Sequence, residues 1–173
     1  MQTILAAVDG STHADKALAF AADLAAKYGA RLILVHAALH GAHAGALAQM
    51  AEERGLSAEL IGELDEADRT PSPGIAVAGA YTLVPVSGST LHRLGEELLE
   101  KAAETARRRG VEKVSVKTAD GDPAKAILAF QEAENADCIV LGSRGLSDLA
   151  GLMMGSVSHK VGHLAPCTCI TVK

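Results

Sequence analysis

The chain has almost no aromatic side chains. Phe, Tyr and Trp together make up 2% of its 173 residues, and Trp is absent. The stacked aromatic platforms that hold single-stranded nucleic acid therefore have little to be built from. An excess of positive charge is also missing. Sixteen Lys and Arg face 21 Asp and Glu, a net charge of −5, the wrong sign for gripping a nucleic-acid backbone or an anionic membrane surface. One bound nucleotide is not excluded, because a helix dipole and a single basic side chain can dominate a small pocket. No apolar run approaches the ~20 residues of a membrane span, and no basic-then-apolar leader opens the sequence, so membrane insertion is not expected. Cysteine is scarce as well. Three Cys are an odd number outside any disulfide-rich context, which fits a reducing cytoplasm. What remains is 49% apolar and 21% charged, the balance of a globular chain long enough to bury a substantial core. Residues 1–173 are read as one domain, interrupted by an irregular insertion at about 56–90.

The pattern along the chain alternates. Gln2 to Val8 is an apolar run of strand length that ends at Asp9-Gly10-Ser11. Ala17, Leu18, Ala21, Leu24 and Ala25 then recur at helical spacing, and Gly29 supplies a C-terminal stop. Arg31 to Ala37 is a continuous apolar strand of the kind buried on both faces of a parallel sheet. After a short helix over Ala44 to Arg54, closed by Gly55, the pattern loosens. Charges mix with Pro71, Pro73 and Pro85, and a strand between Ile75 and Val86 is the most that can be read there.

A helix from about Leu91 to Arg109 follows, with Glu97–Lys101 and Glu104–Arg108 as i,i+4 pairs. Its last-turn Arg107, Arg108 and Arg109 offset the negative end of the dipole. Val111 to Thr118 reads as a strand with one polar face. Asp122 as N-cap and Pro123 at the first helical position start another helix, which runs to about Asn135. Cys138 to Leu141 is a fourth strand, Gly155 to Leu164 a helix, and Cys167 to Val172 a fifth strand. Five strands alternating with four or five helices imply an α/β fold, an open five-stranded, mostly parallel sheet.

The chemistry concentrates in one stretch. Gly142, Gly145, Gly155 and Ser156 form the spacing Gly-x2-Gly-x9-Gly-Ser between the fourth strand and the helix after it. Glycine lets a backbone approach a ligand closely. A helix N-terminus presents unpaired N–H groups and a positive dipole end, so it favours phosphate. The Ser156 and Ser158 hydroxyls can add hydrogen bonds. The stretch reads as a phosphate cradle, against the plainer alternative of two ordinary turns and a serine-started helix.

Val8-Asp9-Gly10-Ser11 at the end of the first strand, Val35-His36-Ala37 at the end of the second, Gly121-Asp122-Pro123, and Gly142-Ser143-Arg144-Gly145 with Gly155-Ser156-Val157-Ser158 together resemble the universal stress protein family. The resemblance covers roughly residues 2–40 and 90–173. Its paired-glycine motif is that of the ATP-binding branch. It implies a Rossmann-like sheet of order 3-2-1-4-5 with helices on both faces, a homodimer through the C-terminal strand, and ATP, with or without Mg2+, between the first and fourth strands. That order brings Asp9 and Gly142 to one crevice where strand order reverses. By the same resemblance Ala7, Val8 and Asp9 line the adenine and ribose side, and Ala37 offers backbone hydrogen bonds to adenine. Leu141, Gly142, Arg144 and Gly145 approach ribose and phosphates, while Gly155, Ser156, Val157 and Ser158 hold the phosphate tail.

Other features have plainer readings. Asp9 could be a catalytic or metal-binding carboxylate, but a strand-end Asp that orders a turn is commoner. Cys167-x-Cys169 lacks partners at the spacing of a structural zinc site and reads as two small buried strand thiols. His36, His40 and His43, and the i,i+4 pair His159 and His163, read as surface or half-buried histidines. Leu149, Leu152, Met153 and Met154 read as packing residues, with a lid over the nucleotide as the sharper alternative. No Walker lysine is present, and no nucleophile–base pair stands out. The expectation is a cytoplasmic ATP-binding stress-response protein acting on a regulatory protein partner. A slow ATP-hydrolysing enzyme and a nucleotide-free dimeric interaction protein are the alternatives.

Overall fold

A computed structural model describes residues 1–37, 43–69, 86–146 and 154–173. Five strands, β1 (Thr3–Ala7), β2 (Arg31–Ala37), β3 (Val114–Ala119), β4 (Cys138–Gly142) and β5 (Thr168–Val172), form one sheet of order β3-β2-β1-β4-β5. Every pairing is parallel, so the sheet is wholly rather than mostly parallel. Among the described residues there are six helices: α1 (Thr12–Tyr28), α2 (Ala44–Glu53), α3 (Ala58–Arg69), α4 (Gly88–Arg108), α5 (Pro123–Glu134) and α6 (Ser156–Leu164).

Strand alternation divides the core in two. Ile4, Ala6, Leu32, Leu34, Cys138 and Val140 face α1 to α4. Leu5, Ile33, Val35, Ile139 and Leu141 face α5 and α6, where Ile127 and Val161 pack onto them. Parallel neighbours need crossovers, and helices on both faces let β1, β2 and β4 be apolar on both sides.

Local chemistry sets the helix ends. The Ser11 hydroxyl accepts from Ala14 N at 3.1 Å to start α1, and Gly29 closes it at φ 61°. Asp122 accepts from Lys125 N at 2.9 Å ahead of Pro123, and its other oxygen takes Lys160 Nζ at 2.8 Å, tying α5 to α6. Ser87 caps α4 through Thr90 N at 3.1 Å, so that helix begins at Gly88, a turn before Leu91. At its other end Val111 N returns to Ala106 O at 3.2 Å across Gly110 at φ 88°. Val111 therefore closes α4 rather than opening β3, which starts at Val114.

The stretch expected to be irregular at 56–90 contains α3. Leu60 and Leu64, one turn apart, are fully buried, while acidic residues occupy the outer face. Ser57 heads this helix, and its amide and hydroxyl both donate to Glu97 of α4, at 2.7 and 2.5 Å. Glu97 thus pairs with Ser57 across helices; the Glu104–Arg108 pair does form, at 3.8 Å. The strand expected over 75–86 lies outside the described residues except for Val86.

Candidate functional site

Strand order reverses between β1 and β4, and the loops at their carboxyl ends meet there. β1 gives way to Val8, Asp9 and Gly10. The Val8 amide donates to Val35 O at 2.8 Å, continuing the sheet one residue past β1. Asp9 Oδ1 accepts from Ser11 N at 2.9 Å, so the carboxylate orders the turn into α1 as a strand-end Asp does. Its second oxygen points at the glycine loop, where a Cβ placed on Gly145 would lie 2.6 Å from Asp9 Oδ2. Gly10 sits at φ 81°, and a Cβ there would be 2.7 Å from Met50 Sδ of α2. The backbone conformation demands glycine, and the flexible Met50 side chain would have to shift to admit a Cβ.

The loop after β4 is organised by Ser143, which is 2% exposed. Its amide donates to Val172 O at 2.7 Å, and its carbonyl accepts from Gly155 N at 2.7 Å and from the Ser158 hydroxyl at 3.0 Å. Gly155 is the N-cap residue of α6. The first helical bond runs from His159 N to Gly155 O at 3.0 Å, so the amides of Ser156, Val157 and Ser158 precede the ladder and carry the positive end of the helix dipole.

The predicted residues take up different positions around this crevice. Ala7 and Asp9 are half-buried at the end of β1, and Val8 is buried. Ala37 closes β2, opposite Ala119. The missing side chain of Gly142 makes room for α1: a Cβ there would be 2.8 Å from His13 C and 2.9 Å from Ala14 N. Leu141 is 2% exposed and packs toward α5 and α6. Arg144 is half-buried, and its carbonyl lies 3.4 Å from the Ser11 hydroxyl. Gly155 rests against Arg144 Cα and Ser143 O, both 3.4 Å from where a Cβ would sit. Ser156 is exposed at the helix start, whereas Val157 packs on the α5/α6 core.

Ser158 departs from its expected use. Its hydroxyl is buried and directed at Ser143 O and Gly155 O, each 3.0 Å away. One proton serves those two carbonyls, so what Ser158 offers outward is its backbone amide. Of the hydrophobic residues between the glycines, 147–153 lie outside the described residues, and Met154 is 36% exposed.

His36 also differs from expectation. It is 2% exposed in the core, with Nδ1 2.8 Å from the carbonyl of Val8. A carbonyl can only accept, so Nδ1 carries the proton and Nε2 the lone pair. Nε2 has no hydrogen-bond partner and faces Gly95 of α4. Desolvation pushes its pKa below the usual 6.5, outweighing the opposing Val8 hydrogen bond and the Asp9 charge. A neutral ring thus braces the residue before Asp9. Among the other histidines, His40 lies outside the described residues, His43 sits 3.2 Å from Asp68, and His159 and His163 are exposed. Among the described residues no group of three His, Cys, Asp or Glu side chains could hold a metal.

Several residues of the crevice were not singled out from sequence. Ser11, Ser143 and His13 stand beside residues that were, and an N-cap reading of Ser11 was available. Arg54 was not legible. It donates from Nη2 to Gly10 O at 2.7 Å and pairs with Asp15, holding the β1–α1 turn from a helix that lies 44 residues on.

The arrangement can receive an anion at the start of α6 and a polar, hydroxyl-bearing group beside Asp9. Its architecture recurs in known proteins. The family model described as "Universal stress protein family" matches residues 1–173. A universal stress protein of Thermus aquaticus is 33% identical over 172 residues, covering 99% of this chain and 98% of the relative. Two solved universal stress proteins share the fold. One, in complex with cAMP, has a TM-score of 0.59 at 20% identity, covering 99% of this chain and 95% of the other. The second, from Archaeoglobus fulgidus in complex with dAMP, has a TM-score of 0.62 at 20% identity, covering 100% and 98%.

Proposed function

This chain belongs to the universal stress protein family, and we propose that it is a cytoplasmic regulatory protein whose β1–β4 crevice binds an adenine nucleotide, ATP foremost. One observation carries the reading: the Asp9 carboxylate stands against Gly145 while Gly155 N is bonded to Ser143 O. Three sequence-distant parts of the motif thereby share a single crevice at the topological reversal, where open α/β sheets take their ligands. Solved relatives that hold cAMP and dAMP support an adenine nucleotide as the ligand class.

In this reading Asp9 accepts from the ribose hydroxyls, and half-buried Ala7 and buried Val8, with Ala37 beside them, border the base. Gly142, Arg144 and Gly145 of the loop after Leu141 bring the backbone near the ribose and first phosphate. The amides of Ser156, Val157 and Ser158, with the exposed Ser156 hydroxyl, receive the terminal phosphates. The chain's residues fit a nucleotide in this respect: a carboxylate on the sugar side and, on the phosphate side, helix-start amides that precede the ladder of α6. A bound Mg2+ would supply charge neutralisation along the phosphates. We further infer a homodimer through β5, the last strand of the described sheet and so the edge at which a second chain could pair among the described residues, and a regulatory protein partner that responds to nucleotide state.

Thermal unfolding with and without AMP, cAMP, ATP and Mg-ATP tests the reading. A nucleotide at 100 times its dissociation constant stabilises by about 2.7 kcal/mol, an upward shift of about 5–11 °C at this chain length. Protein freed of carried-over ligand that shows no shift with any of the four is not a nucleotide-binding protein.

A further inference from the structure

Cys167 and Cys169 stand outside the nucleotide crevice, at the other end of β5. Cys169 lies in the strand and Cys167 one residue ahead of it, and both pack on the α5/α6 face of the sheet. They were expected to be buried; the structure leaves both half-exposed. The two side chains lie two residues apart and pack against the same cluster, as i and i+2 positions of a strand share a face. Cys167 Sγ also lies 3.7 Å from the Thr168 carbonyl.

We propose that Cys167 and Cys169 form a two-thiolate site for a soft monovalent cation, copper(I), at the start of β5. Softness selects the metal, since thiolates favour copper(I), zinc and iron–sulfur centres over hard cations. Coordination number then decides among these. Structural zinc and iron–sulfur sites want four protein ligands, and no third ligand is at hand among the described residues. Cys138 cannot supply one: it is fully buried and belongs to the core on the opposite face of the sheet. Two thiolates suffice for copper(I).

A direct disulfide is the less favourable use of the pair. Two strand residues span about 6.6 Å, near the upper end of the Cα separations that a disulfide tolerates. A metal between the sulfurs relaxes that demand. On binding, two S–H bonds break, two S–Cu bonds form and two protons leave to solvent, with no change in oxidation state. Thiols bind as thiolates, so protons compete with the metal and binding tightens as pH rises. Side chains stand perpendicular to a sheet, so β5 can pair along its edge while the site stays open on its face.

The test is anaerobic titration of the reduced full chain with copper(I), in competition with the colorimetric chelator bicinchoninate. The expected result is one copper per chain, an affinity that rises with pH, and no change in Cys138→Ser. Cys167→Ser and Cys169→Ser are each expected to bind at least about 100-fold more weakly, since changes merely behind a metal's ligands already cost 10–100-fold. Unfolding midpoints of the metal-free variants separate this loss from misfolding. Equal affinity in the Cys167→Ser/Cys169→Ser double variant, or a loss in Cys138→Ser as large as in the other two, overturns the site.

Discussion

Asp9 and Gly145 are 136 positions apart in the chain, yet a single added carbon on Gly145 would come within 2.6 Å of the Asp9 carboxylate. The carboxylate cannot swing away freely, because its other oxygen holds the Ser11 amide at 2.9 Å. Substitution at Gly145 must therefore displace either the loop or the turn that starts α1.

Gly145→Ala is expected to cost about 1–3 kcal/mol, the range for overpacking a well-filled site, and to abolish the nucleotide-dependent thermal shift. Asp9→Ala in the same background removes the collision. The double variant is expected to regain stability relative to Gly145→Ala without regaining the shift. A Gly145→Ala protein as stable as wild type and equally responsive to nucleotide contradicts this account of the crevice.

Ser158→Ala removes the hydroxyl that bonds Ser143 O and Gly155 O. Loss of a buried hydrogen bond costs on the order of 1 kcal/mol, or a fall of about 2–4 °C in Tm for a chain of this size. Since the outward group at this position is the amide, nucleotide affinity should fall far less than the several-fold loss expected for Ser156→Pro, which deletes an amide at the helix start. Calorimetric titration of the two variants distinguishes them; equal losses would mean that the Ser158 hydroxyl itself meets the ligand.

Gly95→Ala places a carbon 2.5 Å from His36 Cδ2 and 3.0 Å from Nε2. Alanine favours the helix by about 1 kcal/mol, but overpacking costs about 1–3 kcal/mol. The expected net result is destabilisation in urea unfolding. In a His36→Ala background the same change should be neutral or stabilising, a coupling that a double-mutant cycle reads directly.

His36 gives the protein a pH dependence with a definite sign. Its folded pKa lies below 6.5 because burial disfavours the cation. As pH falls below 6.5 the unfolded chain takes up a proton that the folded one refuses, so stability declines until the lowered folded pKa is reached. Denaturant unfolding at pH 7.5 and 5.5 should show this loss, and His36→Asn, which keeps a donor for Val8 O but does not titrate, should flatten it. The paired carboxylates Asp122, Glu134 and Asp137, whose pKa values are held below their usual range, add a separate loss below about pH 4.

What could be read from the sequence is what periodicity and capping control. The β1–α1–β2 opening, the Asp122-Pro123 start of α5 and the glycine-led approach to α6 each follow from a few adjacent residues. α3 was hidden because Pro71, Pro73 and Pro85 coloured a stretch in which Leu60 and Leu64 carry a sound helical signal. Burial of His36 depends on Gly95, 59 positions later, and no local pattern announces it. The direction of the Ser158 hydroxyl was equally out of reach, since a serine in the first turn of a helix has the same sequence whether it faces a ligand or folds back onto a carbonyl.

Ser143 donates to the last residue of β5 through its amide and receives the start of α6 through its carbonyl. One residue thus ties the start of α6 to the end of β5, the last strand of the described sheet. In the proposed nucleotide-bound dimer, a shift of the loop on ligand capture would pull on the end of β5, and a β5 held by a second chain would restrain the loop in return. Whatever factor the one event contributes to the other is repaid in full, as linkage requires of any two equilibria that share a structural element. The assembled and separate forms of the protein would then act as two sensitivity settings of one nucleotide gauge, with Ser143 as the gear between them.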